Sequence, residues 1–239
     1  MQQSMQHQMM GYDRTSAMFS PDGRLLQVEY AKKAVKQGTT TIGMACKDGV
    51  FLIADKRIAE KLIVGESVEK VSEVDEHIAA SATGFVMDGR ILIERAQLIA
   101  QQHQVYNGEA IDVLTLVKEI ADFKQFYTQV GGARPFGASL LFAGVDEQPS
   151  LYLTDPTGIF FGFKATAIGE AETEIKEIFN KNYRESMHME DGLKLALRAL
   201  RKVLGKEFNP DRVDGAYIMA KEKKFRRIEK ERIAKLSMA

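Results

Sequence analysis

The sequence predicts an α+β fold of four layers, in which two antiparallel β-sheets pack together and helices cover both outer sides. Predicted elements come in blocks, ordered as strands, a helix pair, strands, a second helix pair and final strands. The helices show apolar residues at helical spacing on one side. No low-complexity linker or composition shift divides the 239 residues, so we expect a single domain over 1–239. Hydrophobic periodicity alone leaves other α+β layouts open.

The first part of the chain predicts a loose tail followed by a short helix. Residues 1–11 are rich in Gln and Met and lack periodicity, which is typical of a mobile segment. Pro21-Asp22-Gly23 predicts a tight turn. Apolar residues then recur at helical spacing over 24–37, and Gly38 stands where a glycine usually closes a helix. We therefore expect a mobile tail over 1–20, hinged at Pro21, and an ordered helix over 24–37.

The first strand block is predicted from apolar runs and turn residues. Thr40–Cys46 and Val50–Ala54 are separated by Lys47-Asp48-Gly49. An Asp-Gly pair between two apolar runs predicts a hairpin in which both central residues have positive φ. Ile78–Ala82 is predicted as a further strand.

The remaining elements follow from periodicity and from turn residues between the apolar runs. The clearest helix carries Leu116, Ile120, Phe123 and Tyr127 on one side. The predictions are helices over about 88–104 and 110–128; strands over Ala138–Ala143, Ser150–Leu153 and Ile159–Phe163; helices over about 170–182 and 190–205; strands over Gly215–Ala220 and Phe225–Ile228; and a final helix over Glu229–Leu236.

Charge and hydropathy argue against nucleic-acid and membrane partners. Lysine plus arginine and aspartate plus glutamate number 33 each, so no general field attracts phosphates. The basic run over 221–227 is interleaved with glutamate, and we interpret it as a solvated hairpin rather than a phosphate site. The first residues lack the basic start and apolar stretch of a signal peptide, and no window reaches the roughly 18 apolar residues of a membrane span. We expect a soluble, cytoplasmic protein.

The sequence also argues against a cofactor or a metal. Cys46 is the only cysteine and lies in an apolar run, which favours a buried side chain over a nucleophile. The four histidines are scattered, and neither common glycine-rich phosphate cradle occurs. The glutamates over 170–177 are explained by a helix N-terminus and by solvent. We expect neither a cofactor nor a metal site.

Residues 19–31 read Phe-Ser-Pro-Asp-Gly-Arg-Leu-Leu-Gln-Val-Glu-Tyr-Ala and closely resemble the N-terminal signature of proteasome α subunits. The likeness runs from about Gly11 to the last strands and is nearest to the archaeal type. Further stretches that resemble the family are Gly11–Arg14, Asp55–Arg57, Asp122–Gln125, Tyr127–Gln129, Gly132, Arg134–Gly137 and Lys164–Gly169.

The resemblance implies the Ntn-hydrolase-like fold of two β-sheets between helix layers. It also implies a non-catalytic subunit of a seven-membered outer ring, with an N-terminal ring-packing helix. Such a ring controls substrate entry to a proteolytic chamber formed by β subunits. The implied partners are β subunits, neighbouring α subunits in a homo-heptamer, and a regulatory ATPase activator.

One alternative is a β-type peptidase in which cleavage between Gly38 and Thr39 frees a threonine nucleophile. Asp55 and Lys70 fall near the positions where β subunits keep a supporting aspartate and lysine. Three observations oppose it. The upstream residues carry the α signature and leave Thr39 without a free amine, residues 169–172 lack the serine of the β family, and residues 211–215 do not match its Ser-Gly-Asp segment. A stand-alone binding protein of the same fold is a further alternative.

The resemblance implies two groups of functional residues and no catalytic ones. The first would hold the gate tail: Tyr12, Asp13, Arg14, Pro21 and Tyr30. Proline sets a turn at fixed φ, and tyrosines combine apolar rings with polar tips. The plainer interpretation is that Tyr30 faces the core from its helix and that Tyr12 is a loop aromatic.

The second group would line an activator-binding pocket between neighbouring α subunits, and it comprises Lys70, Gly84 and Phe85. The resemblance implies an activator tail that ends in a hydrophobic residue, Tyr and any residue. A lysine suits the C-terminal carboxylate of such a tail, because its flexible stem carries a compact charge. The plainer interpretation is that Lys70 is a surface residue. Phe85 and Met87 replace the leucine and the alanine that the family more often has, so both bear on the depth of the pocket.

Overall fold

Ten strands form two five-stranded antiparallel sheets in the computed structural model, which describes residues 11–12, 14–58, 60 and 62–238. Six α-helices accompany these strands in the described part of the chain. In order, the elements are α1 (Leu26–Gln37), β1 (Thr41–Cys46), β2 (Gly49–Asp55), β3 (Val71–Asp75), β4 (Ile78–Gly84), α2 (Val86–Asn107), α3 (Val113–Gln129), β5 (Ala138–Val145), β6 (Pro149–Thr154), β7 (Phe160–Gly162), β8 (Ala165–Ile168), α4 (Glu172–Asn182), α5 (Met189–Leu204), β9 (Val213–Met219), β10 (Phe225–Arg227) and α6 (Lys230–Met238).

The two sheets have the orders β10-β9-β2-β1-β8 and β3-β4-β5-β6-β7. Three apolar layers hold the fold together. A central layer that includes Leu52, Leu141 and Ile218 joins the two sheets. A second layer packs α4, α5 and α6 on the first sheet, and a third packs α2 and α3 on the other. The predicted four-layer sandwich is therefore confirmed, and burial of these apolar faces is its main stabilising force.

Helix α1 lies outside these layers and packs against β4 and β5. Lys32 on this helix forms an ion pair of 2.9 Å with Asp155. Gly38 ends the helix at the predicted place, but its backbone is extended (φ −74°, ψ 158°) and not left-handed. A Cβ atom on Gly38 would lie 2.5 Å from the nitrogen of Gly84. Close packing against β4, rather than handedness, therefore requires this glycine.

The β1–β2 hairpin forms, but its predicted turn geometry is wrong. The central residues are Lys47 and Asp48, because Gly49 already pairs with Cys46 as the first residue of β2. Neither central residue has positive φ. The carboxylate of Asp48 accepts the N–H of Met189, and the N–H of Lys47 donates to the carbonyl of Met187. Contacts to the segment that leads into α5 thus shape the turn in place of an Asp-Gly conformation.

Most predicted elements are present with ends shifted by a few residues, while β3 and β8 were not predicted as strands. Strand β3 has five residues, and its buried residues, Val71 and Val74, are three positions apart because the register with β4 shifts between Glu73 and Asp75, so the sequence shows no strict alternation there. Strand β8 has four residues and is recognised only by its register with β1.

No helix in the described ranges is long and apolar enough to cross a membrane. No group of three or more His, Cys, Asp or Glu side chains in the same ranges could hold a metal ion. Cys46 is buried against α5, and burial raises the pKa of its thiol to about 12.

Candidate functional site

Lys70, Gly84 and Phe85 line one surface pocket of about 310 Å³, which we call the Lys70 pocket. It lies where β3 begins, β4 ends and α2 begins. Its other lining residues are Glu69, Ser72, Ala82, Val86, Gly89, Arg90, Ile93, Glu94 and Gln97. The three residues predicted from the sequence are therefore brought together.

The backbone of Lys70 is held from both sides. Asp214 on β9 accepts the N–H of Lys70 at 2.8 Å and that of Val71 at 3.0 Å, and the hydroxyl of Ser81 donates to the carbonyl of Lys70 at 2.6 Å. The ammonium donates to the carbonyl of Ala82 at 2.9 Å. Burial lowers the pKa of Lys70, and the nearby carboxylates of Asp55 and Asp214 oppose that shift. The ammonium is thus fixed at the pocket with donors to spare.

Gly84 permits a tight crossing of the chain. Its φ of +119° lies in a region that favours glycine, and a Cβ there would meet the carbonyl oxygen of Gly137 at 2.1 Å. The N–H of Phe85 donates to that same carbonyl at 2.9 Å. The start of α2 is therefore pinned to the loop before β5.

The ring of Phe85 packs against Gly137, where a Cβ would lie 2.4 Å from Cδ2 of the ring. The guanidinium of Arg134 lies 5.7 Å from the ring centroid. Phe85 remains 51% exposed, and Met87 is 67% exposed and is absent from the lining. The larger side chains at these positions therefore leave a pocket open.

Asp88 and Arg134 form a second attachment that the sequence analysis did not single out. The two terminal nitrogens of the Arg134 guanidinium donate to the carboxylate of Asp88, at 2.6 and 2.7 Å, and the N–H of Gly137 donates to it at 2.7 Å. Burial of Asp88 opposes its ionisation, but these donors outweigh burial and lower its pKa. In the sequence, the family-like stretch over 134–137 indicated that this loop matters. It did not indicate that Asp88 is the partner of Arg134.

The predicted gate residues lie on three short segments. Tyr12 is partly buried in a turn in which the N–H of exposed Arg14 donates to the carbonyl of Gly11 at 3.1 Å. Pro21 is exposed in the predicted turn, which the N–H of Gly23 closes on the carbonyl of Ser20 at 2.8 Å. Asp13 lies outside the described residues.

Tyr30 is partly buried on α1, with the ammonium of Lys33 at 5.3 Å from its ring centroid. Ser16, which the sequence did not indicate, links this region to the loop before β5. Its hydroxyl donates to the carbonyl of Ala133 at 2.6 Å, next to Arg134. A chain of contacts thus runs from Ser16 through Arg134 to the rim of the Lys70 pocket.

The region around Thr39 bears on the peptidase alternative. The carbonyl of Gly38 accepts the N–H of Glu170 at 2.9 Å, and that of Thr39 accepts the hydroxyl of Thr83 at 3.1 Å. A Cβ on Gly169 would lie 2.8 Å from both carbonyl oxygens. The Gly38–Thr39 peptide is therefore packed between β4 and the loop before α4.

Comparison with known proteins places this geometry in a family. The family model for the proteasome subunit matches residues 35–218, and the model for the N-terminal signature of A-type proteasome subunits matches residues 12–34. The chain belongs to the proteasome alpha-subunit family. The signature match covers Tyr12, Pro21 and Tyr30, and the longer match covers the Lys70 pocket.

Relatives that are named as alpha subunits of the proteasome are similar along nearly the whole chain. The one from Thermococcus sibiricus is 49% identical over 225 residues, covering 94% of this chain and 86% of the relative. That from Archaeoglobus fulgidus is 48% identical over 224 residues, covering 94% and 91%. That from Methanocaldococcus jannaschii is 48% identical over 226 residues, covering 94% and 86%. The predicted resemblance to archaeal proteasome alpha subunits is confirmed.

Proposed function

We propose that this proteasome alpha subunit forms the outer ring of a core particle, controls substrate entry and docks an activator ATPase. The observation that carries the proposal is that Lys70, Gly84 and Phe85 line one open pocket. We further propose that the ring is a homo-heptamer that pairs with β subunits in the cytoplasm.

The Lys70 pocket suits a peptide carboxyl terminus. One donor of the ammonium is taken by Ala82, which leaves others for a carboxylate. Phe85, Val86 and Ile93 supply apolar surface for the neighbouring side chains of the tail. The volume is at the lower end of the range of about 300–1,000 Å³ for ligand sites, which fits a few terminal residues rather than a folded partner.

The contacts from the Lys70 pocket to Ser16 support a route by which docking acts on the gate. An occupant that shifts Phe85 also shifts Arg134, which stacks on its ring and bonds to Asp88. The neighbouring carbonyl of Ala133 holds Ser16, four residues beyond Tyr12. Small displacements at the pocket would thus reach the tail through packed contacts.

The non-catalytic part of the proposal rests on the residues around Thr39. While Gly38 remains attached, the nitrogen of Thr39 is an amide and cannot act as a base. Arg212 donates to both carboxylate oxygens of Asp55. A peptidase of this family would need that carboxylate to support its nucleophile. A chain that starts at Thr39 by N-terminal sequencing would contradict this part.

The experiment that tests docking measures binding of an activator-like peptide that ends in hydrophobic-Tyr-Leu with a free carboxylate. Lys70→Ala should weaken binding about tenfold to a hundredfold, because a charge-assisted hydrogen bond contributes about 1.5–3 kcal/mol. Lys47→Ala, which removes an exposed lysine from the β1–β2 turn, is the matched control and should change nothing. Equal binding of the same peptide as a C-terminal amide would refute the assignment.

Imaging of the chain expressed alone tests ring formation. Seven-fold rings without peptidase activity are the expected result. A stable monomer at micromolar concentration would favour the stand-alone binding protein instead.

A further inference from the structure

Helices α4 and α5 pack side by side on the outer face of the first sheet, and a groove of about 620 Å³ runs between them. Residues 183–188 join the two helices, and so short a connection makes neighbouring helices antiparallel. On each helix the lining residues recur at i, i+3, i+4 and i+7, which is one stripe of a helix surface. Among the described residues, none that lines this groove also lines the Lys70 pocket. The groove is therefore a separate surface, which we call the α4–α5 groove.

The floor of the α4–α5 groove is apolar. Ile178 on α4 and Leu195 and Val203 on α5 line it and are only partly buried. Covering the exposed parts of these side chains would remove further apolar area from water, which is favourable. Ala199 also lines the groove, and its small side chain lets another helix come close to α5, because the distance between packed helices depends on the residues at the contact. The floor therefore favours a partner with apolar side chains.

The walls of the groove favour a helical partner. All the described lining residues lie on the two helices, whose main-chain groups are bonded within each helix. An extended peptide would meet no strand edge among them and would leave its own main-chain groups without partners, whereas a helix bonds its own. Residues 174–181 of α4 and 195–202 of α5 each span about 11 Å at 1.5 Å per residue. That length matches about two turns of a third helix.

The two walls carry opposite charges. Glu174 and Glu177 are exposed on α4, and Arg198 and Lys202 are exposed on α5. The antiparallel packing places the start of α4 beside the end of α5, so the acids face these cations across the groove. Within the described part of the chain, Glu174, Glu177 and Lys202 form no ion pair. A helix lying between the walls would therefore meet unpaired carboxylates on one side and an unpaired ammonium on the other.

The same charges argue against a nucleic-acid partner. Phosphates would be attracted to the cations on α5, but Glu174 and Glu177 would repel them along the other wall. None of the described lining residues is aromatic, so bases would find no stacking surface. Lys181 adds a cation to α4, but it lies one turn beyond Glu177 and leaves the first part of that wall acidic. A uniformly acidic peptide would meet the same repulsion.

We propose that the α4–α5 groove docks an amphipathic helix of a partner protein. The apolar stripe of that helix would cover Ile178, Leu195 and Val203. Basic residues along one flank would pair with Glu174 and Glu177, and acidic residues along the other flank would pair with the cations on α5. The proposal is independent of docking at the Lys70 pocket, because the two surfaces share no described residue.

The probes are three labelled peptides of about 18 residues with the same stripe of leucines, each held helical by a hydrocarbon staple on its outward face, because short helices are marginal in water. The mixed peptide carries lysines along one flank and glutamates along the other. The acidic peptide carries glutamates along both flanks, and the basic peptide carries lysines along both. Fluorescence anisotropy with the full-length chain, in the oligomer that it forms, gives the affinities. We expect the mixed peptide to bind about three- to tenfold more tightly than either of the others, and high salt should reduce this preference.

Charge reversal of one wall at a time tests the assignment. Glu174→Lys/Glu177→Lys makes both walls basic and should shift the preference to the acidic peptide. Arg198→Glu/Lys202→Glu makes both walls acidic and should shift the preference to the basic peptide. The combination of all four changes exchanges the walls, and it should restore the preference for the mixed peptide, which can then lie in the opposite direction.

The matched control is Glu119→Lys/Glu147→Lys, which reverses two charges at exposed positions outside the groove. This control should leave all three affinities unchanged. A change as large as that of the wall variants would mean that net charge decides binding, and it would overturn the proposal.

Four other results would also overturn the proposal. If the acidic peptide binds the wild type as tightly as the mixed peptide does, the groove is only a basic patch. If single-stranded DNA binds more tightly than any peptide and Arg198→Glu/Lys202→Glu abolishes that binding, the partner is a nucleic acid. If the wall variants alter oligomer size in size-exclusion chromatography and not peptide preference, a second copy of the chain occupies the groove. If no peptide binds, the groove docks no helix of this kind.

Discussion

Arg212 holds Asp55 in a two-point ion pair, with Nε 2.5 Å from Oδ1 and Nη2 2.8 Å from Oδ2. The Asp55 side chain has no exposed surface, and that of Arg212 is 14% exposed. The pair joins the end of β2 to the residue before β9, and the N–H of Lys56 donates to the carbonyl of Arg212 at 2.9 Å. The pair therefore stabilises the first sheet near Thr39. It also engages both oxygens of the carboxylate that the peptidase alternative requires.

Removal of this guanidinium should destabilise the fold strongly. Arg212→Met leaves the buried carboxylate of Asp55 with only the longer contact to Arg57, at 3.8 Å, and loss of one partner of a buried pair costs about 3–5 kcal/mol of unfolding free energy. Arg226→Met breaks an exposed pair with Glu222 and should cost less than about 1 kcal/mol. Urea unfolding of both variants checks the difference, and similar losses would contradict the structural role given to Arg212.

The close approach of the chain at Gly84 predicts that even alanine at this position destabilises the fold. Gly84→Ala combines a positive φ with a contact of 2.1 Å to the Gly137 carbonyl, so we expect a loss of about 2–4 kcal/mol. Gly131→Ala is the control, because a Cβ there meets no atom within 4 Å and its φ is not positive. Thermal unfolding should show a clear fall in Tm for Gly84→Ala alone. An unchanged Tm in Gly84→Ala would mean that the chain segments at Gly84 and Gly137 pack less closely than described.

The ammonium of Lys124 is buried beneath the end of β6, where it donates to the hydroxyl of Thr154 at 2.7 Å and to its carbonyl at 3.1 Å. Burial lowers the pKa of Lys124 to about 7, against a weaker opposing effect of Asp155. The unfolded chain keeps the ordinary pKa near 10.5, so it binds more protons between about pH 7 and 10.5. Stability from this group must therefore rise with pH across that window and stay constant below it.

Lys124→Met should remove this pH dependence. Unfolding free energies of the wild type, measured from about pH 7 to pH 9, should rise relative to those of Lys124→Met. The slope approaches about 1.4 kcal/mol per pH unit where unfolding takes up one whole proton. Lys118→Met, an exposed position on the same helix, should keep the slope of the wild type. Parallel curves for wild type and Lys124→Met would contradict the prediction.

The bond from Ser16 to Ala133 should order the loop before β5. Ser16→Ala removes a donor to a carbonyl and should cost about 0.5–1.5 kcal/mol locally. Amide hydrogen exchange over residues 130–134 should become faster, while the neighbouring Thr15→Ala should leave it unchanged. Equal amide exchange rates over residues 130–134 in the two variants would contradict the proposed route from the Lys70 pocket to the gate.

The proposed gate is tested in particles assembled with β subunits. Tyr12→Gly or Asp13→Ala should raise peptide hydrolysis in the absence of activator, because either change loosens control of the tail. Tyr106→Ala, at an 82% exposed tyrosine on α2, is the control for loss of an aromatic residue. Peptide-entry rates that stay the same with and without activator would count against these gate assignments.

Local patterns in the sequence determined much of this fold. Alternation and helical spacing report which face of an element is buried, and this information lies within a few neighbouring residues. The helix now seen over Leu26–Gln37 and the turn at Pro21 were therefore predictable. Lys70, Gly84 and Phe85 were named through resemblance, since nothing in the spacing of Lys70 and Gly84 indicates that they meet.

Tertiary structure alone decided which distant residues pair. Arg134 bonds to Asp88 across 46 positions of sequence, and Arg212 to Asp55 across 157. Such pairs depend on sheet order and register, which no local pattern encodes. The Gly38 backbone shows the same division: the sequence placed the end of the helix, but only packing against Gly84 explains why the residue is a glycine. Contacts between residues that are distant in the sequence decide these pairs, because the energy of each contact depends on which elements the fold brings together.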